Sequence, residues 1–193
     1  AVTGTKVYDG TTSSAGVPTI TTGALQGTDS VAWTQTYDNK NIGSGNKTMT
    51  AAGTVSDGNS GLNYSVTFAT NTTGSITAKS LTIGGTFTAN NKVYDATTSA
   101  TILVNSLTLT GVVGAETVTL TPVLVFADKN ASGTPKTVSL TGSSIAGIDS
   151  GNYTLSLTGA PTASANLTAR PITVTAVTGT KVYDGTTSSA GVP

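Results

Sequence analysis

The 18 residues AVTGTKVYDGTTSSAGVP, from Ala1 to Pro18, recur letter for letter as Ala176 to Pro193, and a diverged copy, NNKVYDATTSA, fills Asn90 to Ala100. The exact copies lie 175 positions apart and the middle copy nearly halves that interval, since Lys6, Lys92 and Lys181 stand 86 and then 89 positions apart. A period of this size is too long for a solenoid turn and suits a whole small domain, so one period comprises two sister modules. A chain of near-identical units is suited to length or multivalency more than to one unique pocket.

Matching the halves sets the modules. Lys6-Val7-Tyr8-Asp9-Gly10-Thr11-Thr12 aligns with Lys92-Val93-Tyr94-Asp95-Ala96-Thr97-Thr98, and Gly27-Thr28-Asp29-Ser30-Val31 with Gly114-Ala115-Glu116-Thr117-Val118. Asp38-Asn39-Lys40-Asn41 is paired with Asp128-Lys129-Asn130, and the stretch around Tyr64 with the stretch around Tyr153. The exit Ile76-Thr77-Ala78-Lys79-Ser80-Leu81-Thr82 answers Leu167-Thr168-Ala169-Arg170-Pro171-Ile172-Thr173. The expected division is therefore a first module over 1–80, a second over 81–170, and the start of an incomplete third over 171–193. On this alignment the first module lacks its opening strand, the counterpart of Pro171 to Thr175. Open strand edges of that kind invite pairing with an identical chain.

Alternation of apolar and hydroxyl-bearing residues runs through Ser106-Leu107-Thr108-Leu109-Thr110, Tyr153-Thr154-Leu155-Ser156-Leu157 and Ile172-Thr173-Val174-Thr175. Gly, Asn and Asp clusters separate these runs, and no segment carries a helical apolar period. The pattern predicts an all-β chain of small antiparallel β-sandwich (Ig-like) modules set end to end. A β-grasp-like module is the alternative, and it requires a helix.

KVYDGTT, the acidic residue before a strand, the DKN turn, the NY strand and the I-T-A-Lys exit together resemble the YDG-type repeat of large bacterial surface adhesins. Those proteins are filamentous-haemagglutinin-like and leave the cell by two-partner secretion. The resemblance implies an extracellular or cell-surface module that forms a stalk or a fibre, with sister modules or identical chains as partners and a host or bacterial surface as target. The competing expectation is that the repeats themselves bind a receptor, glycan or sister chain with avidity. Ala96 departs from the motif glycine, so that position is expected to hold a negative φ.

Composition narrows the chemistry. Histidine and cysteine are both absent, which removes imidazole-based triads, thiolate metal sites and disulfides, and no enzyme is expected. Charged residues are only 9% and balance to zero, so no basic face exists for nucleic acid. No apolar run is long enough for a membrane-spanning helix.

The acidic residues nevertheless cluster at motif positions. Asp9, Asp38, Asp95 and Asp128 are candidates for a calcium ion in each module, since hard oxygen ligands are the only metal chemistry available here. Asx-turn chemistry with a nearby lysine explains the same carboxylates without a ligand. The residues singled out on motif grounds are Lys6, Tyr8, Asp9, Lys92, Tyr94, Asp95, Asp38, Lys40, Asp128, Lys129, Tyr64 and Tyr153. An isopeptide bond would draw its lysine from Lys6, Lys92, Lys40 or Lys129 and its amide from Asn63 or Asn152. The tyrosines read as packing residues whose hydroxyls reach a turn, against a sugar-binding ladder. Trp33 reads as core filler.

Overall fold

A computed structural model describes residues 1–189 and 191. Threonine and serine fill the solvent-facing positions where a branched or hydroxyl-bearing carbon suits the pleat. Accordingly 42% of the chain is strand and 2% is helix. The helical share is one 3-10 turn at Ser150–Asn152. The helix that a β-grasp module requires is absent among the described residues, and none of their helices is long and apolar enough to cross a membrane.

The first repeat builds one four-stranded sheet from β1 (Thr5–Val7), β2 (Ser30–Tyr37), β3 (Gly43–Ser56) and β4 (Asn71–Thr77), in the order β1-β4-β3-β2. Strands β2 and β3 pair antiparallel without a break from Ser30↔Ser56 to Tyr37↔Met49. Pairing of β3 with β4 is irregular, with register shifts on either side of Lys47. Met49 and Ala51 alternate with exposed Thr50 and Ala52, so one face of β3 enters the core.

Strand β5 (Lys79–Ala89) then crosses into the second repeat. It is followed by β6 (Lys92–Val93), β7 (Ser99–Ala100), β8 (Ile102–Thr110), β9 (Thr119–Thr121) and β10 (Leu124–Phe126). After these come β11 (Lys136–Ser139), β12 (Ser144–Ala146), β13 (Tyr153–Ser156), β14 (Ala163–Ala165) and β15 (Leu167–Thr168). They form sheets ordered β13-β5-β8 and β14-β11-β10-β7, with smaller pairs β12-β9 and β15-β6.

Three of the pairings are parallel: β1 with β4, β13 with β5, and β15 with β6. This corrects the expectation of purely antiparallel sheets. Each pair joins a strand near the start of a repeat to one near its end, so a long crossover replaces the hairpin that enforces antiparallel pairing.

Two apolar clusters hold the chain. One gathers Tyr8, Tyr37, Met49 and Ile76 of the first repeat with Leu81 and Tyr153. The other is centred on Ile83, Phe87, Leu124, Phe126, Val138, Leu140 and Leu167. Leu81 and Ile83 lie on the same face of β5, yet they serve different clusters. The expected division between 80 and 81 therefore falls inside one continuous strand. Beyond β15 the described residues form no strand, and Ile172 and Val174 are 83% and 69% exposed.

Candidate functional site

The KVYD turn has the same construction three times. Asp9 Oδ1 accepts the Thr11 amide at 2.9 Å and the Thr11 hydroxyl at 2.9 Å, while Lys6 Nζ reaches Asp9 Oδ1 at 2.7 Å and the Thr11 and Ser13 carbonyls. Asp95 with Lys92, and Asp184 with Lys181, repeat this geometry. Hydrogen bonds from Lys92 and Thr97 hold the Asp95 carboxyl at about 2; for Asp9, burial pushes upward and the Lys6 and Thr11 bonds outweigh it, again to about 2. Bridging two residues in this way forces the residue between them into the left-handed region. Gly10 and Gly185 have φ of 78° and 73°, and Ala96 has φ of 66°. The expectation of a negative φ at Ala96 is thus overturned: the Asx turn dictates the backbone, and the methyl group is accommodated at a cost.

The turn between β2 and β3, and its counterpart between β10 and β11, each rely on a lysine that the motif did not contain. Lys136 Nζ holds both Asp128 carboxylate oxygens at 2.7 Å, and buried Lys47 donates to Asn39 Oδ1 with Asp38 3.8 Å away. Both pairs are eight residues apart, so Asp128 occupies the place of Asn39, and the pairing of Asp38 with Asp128 is one residue out of register. This shift makes Lys40 the counterpart of Lys129, Asn41 of Asn130 and Ile42 of Ala131.

The densest polar constellation joins the two repeats. Glu116, before β9, accepts hydrogen bonds from the Tyr8 hydroxyl, from Tyr153 Oη at 2.5 Å and from Lys40 Nζ at 2.5 Å. Tyr8, 1% exposed, meets Tyr153 edge to face with ring centroids 5.4 Å apart. Buried Asn152 accepts the Ile42 amide at 3.1 Å and donates to Asn41 Oδ1 at 3.3 Å. Burial alone would raise the Glu116 carboxyl, but the bonds from Lys40, Tyr153 and Tyr8 overcome it and hold the group down at about 2. Burial, then the hydrogen bond to Glu116, pushes the Tyr153 phenol up to about 12, and the Tyr8 phenol rises for the same reasons. The Lys40 ammonium is held charged by its bond to Glu116. Charge-assisted bonds of this kind fix orientation as well as adding stability.

The YDG domain family matches residues 1–73 and 77–163, both repeats in succession. The chain belongs to the YDG domain family. No curated protein and no solved structure matches it.

Within the YDG framework the remaining candidates fall into place by position. Tyr64 repeats the Tyr153 arrangement, accepting the Gln26 amide at 2.8 Å and donating to Asp29 Oδ2 at 2.6 Å, as Tyr153 accepts the Val113 amide at 3.0 Å and donates to Glu116. Tyr94, the counterpart of buried Tyr8, is half-buried at the far end of the second YDG repeat. Lys129 is exposed there. Asp9, Asp38, Asp95 and Asp128 are spread over four turns, and no group of three or more carboxylates gathers among the described residues.

Among the described residues no hydrogen bond joins Lys6, Lys92, Lys40 or Lys129 to Asn63 or Asn152, whereas Lys47 donates to the Asn39 amide oxygen. Trp33 is not core filler. Its ring stands edge-on to Phe68 along a groove, and its buried indole N–H has no acceptor among the described residues. Glu116 could be singled out from sequence as a recurring acidic position, but its partners 76 and 108 residues away could not. The recurrence of a lysine eight residues after Asn39 and Asp128 was the signal that would have found Lys47 and Lys136.

Proposed function

We propose that these YDG repeats are structural units of a secreted bacterial surface adhesin, small β-sandwich modules set end to end as a stalk or an extracellular fibre. The observation that carries this reading is the Glu116 joint. A carboxylate shared by two tyrosines and a lysine, closed over by Asn152, fixes one repeat against the next where a flexible linker would let them swing. No catalytic role is proposed, and the location assigned is extracellular, at the bacterial surface.

Small-angle scattering tests the reading directly. A compact 193-residue globule has a radius of gyration of about 16 Å. A monomer well above that value, with rod-like distance distribution, is expected. A value near the compact one, or failure of antibodies raised to the chain to label intact producing cells, would overturn it.

A further inference from the structure

Lysine is rarely buried unless its charge is paired. Lys47 shares the inward face of β3 with Met49 and Ala51 and is 5% exposed, the only buried lysine among the described residues. Register shifts on either side of it interrupt the pairing of β3 with β4, and such an irregularity re-aims a side chain. Glycines leave room for its stem: a Cβ at Gly43 would lie 3.1 Å from Lys47 Cε, and one at Gly74 would lie 3.2 Å from Lys47 Cβ.

Burying an ammonium is costly unless its donors are satisfied. Lys6 Nζ reaches four acceptors, and Lys136 Nζ holds both oxygens of Asp128. The Lys47 side chain is more deeply buried than either, yet among the described residues its Nζ donates to Asn39 Oδ1 alone. A secondary amide nitrogen at that place would carry no charge and a single N–H.

Three groups converge on the Asn39 side-chain amide. Lys47 Nζ meets its oxygen, one bond from Cγ. The Asn41 backbone N–H donates to the same oxygen at 3.1 Å, where it can stabilise negative charge that develops there. Asp38 Oδ1 lies 3.8 Å from Lys47 Nζ and accepts the Asn39 backbone N–H at 2.9 Å. A proton carrier commonly closes a gap of this size in the reacting complex.

We propose that Lys47 and Asn39 are joined by an intramolecular isopeptide bond, Nζ to Cγ, formed with release of ammonia. The Asp38 carboxylate takes one proton from the Lys47 ammonium, which frees the Nζ lone pair to attack Cγ. The Nζ–Cγ bond forms as the carbonyl electrons move onto Oδ1, toward the Asn41 N–H. When the carbonyl is restored, the Cγ–Nδ2 bond breaks. Asp38 hands its proton to the departing nitrogen and receives the second proton that Nζ sheds. That proton leaves with the ammonia as ammonium, so Asp38 ends as a carboxylate, charge balances and no outside reagent is consumed.

The second repeat supplies the contrast. Asp128 stands at the place of Asn39, and Ala127 at the place of Asp38. The hydrogen bonds from Lys136 and the Asn130 amide hold the Asp128 carboxyl below its ordinary range, and an ionised carboxylate is a poor electrophile. Ala127 cannot carry a proton. One bond per pair of repeats is therefore expected. The ring it closes contains Lys40, Asn41 and Ile42, the residues that reach Glu116 and Asn152 at the joint. Closing the ring orders that loop before the repeats meet. The bond does not depend on whether the repeats serve as a stalk.

Intact-mass spectrometry of the denatured full chain reads the bond directly. A mass about 17 Da below the calculated value is expected, from the loss of one ammonia. Trypsin should then fail to cut after Lys47 and release residues 7–40 joined to 41–79, in place of separate 7–40, 41–47 and 48–79. Lys47→Met and Asn39→Ala should each show the calculated mass. Asp38→Asn keeps both reacting groups and should slow linkage about 100-fold or more, with circular dichroism that matches wild type. Ala127→Asp combined with Asp128→Asn should transplant the reaction and bring the mass about 34 Da below the calculated value.

A wild-type chain at its calculated mass, or three separate tryptic peptides, would overturn the bond. An Asp38→Asn chain that links as fast as wild type would overturn the proton route. A folded transplant that loses only one ammonia would overturn the part assigned to the Asp38 and Asn39 pair.

Discussion

Replacing Glu116 with glutamine keeps the shape of the joint and removes its charge. The carboxylate receives three hydrogen bonds, from Tyr8, Tyr153 and Lys40. An amide oxygen can retain one of the tyrosines, but the amide NH2 then faces a donor, and the Lys40 ammonium loses its counter-ion. Bonds to a charged acceptor contribute about 1.5–3 kcal/mol each, and the exposed part of the lysine bond contributes less, so a net loss of about 2–3 kcal/mol is expected.

The depressed Glu116 carboxyl expresses the same bonds as a pH dependence. Glu116 lies at about 2 in the folded chain against an ordinary 4.5. The folded value is the lower one, so this stability is fully present above about pH 5 and fades as the pH falls toward 2. A shift of that size sets a ceiling of about 3 kcal/mol. Lys40 is 40% exposed, and solvent screening brings the figure to about 2 kcal/mol.

At pH 7 the Glu116→Gln chain should melt about 4–12 °C below wild type, followed by near-UV dichroism of the buried tyrosines. The gap should narrow steadily between pH 5 and pH 2. Coupling to Tyr8→Phe in a double-mutant cycle should be about 1 kcal/mol or more. Midpoints that coincide within about 0.5 kcal/mol, or a gap that ignores pH, would refute the reasoning about the joint.

Ala96→Gly should stabilise the chain by about 1 kcal/mol in urea unfolding, because it relieves a left-handed alanine while keeping the Asp95 turn. Gly85→Ala should have the opposite sign and cost about 3 kcal/mol or more, since its φ is +76° and an added Cβ would lie 2.1 Å from the Ser106 carbonyl oxygen. Chelation by EDTA, or addition of millimolar calcium, should leave the melting midpoint unchanged, because the Asp9, Asp38, Asp95 and Asp128 carboxylates lie in four separate turns and each already accepts a hydrogen bond from a lysine or a backbone amide. A calcium-dependent rise in midpoint would restore the metal reading.

The all-β character was legible because alternation is a local property: Leu107 and Leu109, or Tyr153 and Leu155, state their strand without reference to anything distant. The pairing of strands was not. Nothing near Lys79 reveals that it lies beside Tyr153 in parallel, since that contact is made by tertiary packing across a long crossover. The KVYD turn could be read in outline, because an aspartate two residues before a threonine describes its own hydrogen bonds. Its backbone sign at Ala96 was misjudged by weighing the side chain above the turn that constrains it. The joint was half visible: recurrence marked Glu116 and Tyr8 separately, and only folding brought them together. The one-residue slip at Asp128 arose from matching letters, where matching the lysine eight residues on would have placed it with Asn39.

Strand β5 has a mechanical meaning. It enters as a member of the first apolar cluster through Leu81 and leaves as a member of the second through Ile83 and Phe87, clamped on one side by β13 and on the other by β8. Tension applied along the chain therefore acts along the length of a paired strand. Its ladder hydrogen bonds must shear together, where a hairpin pulled from its open end would unzip them one by one. Force passes from one repeat to the next through backbone that already belongs to both.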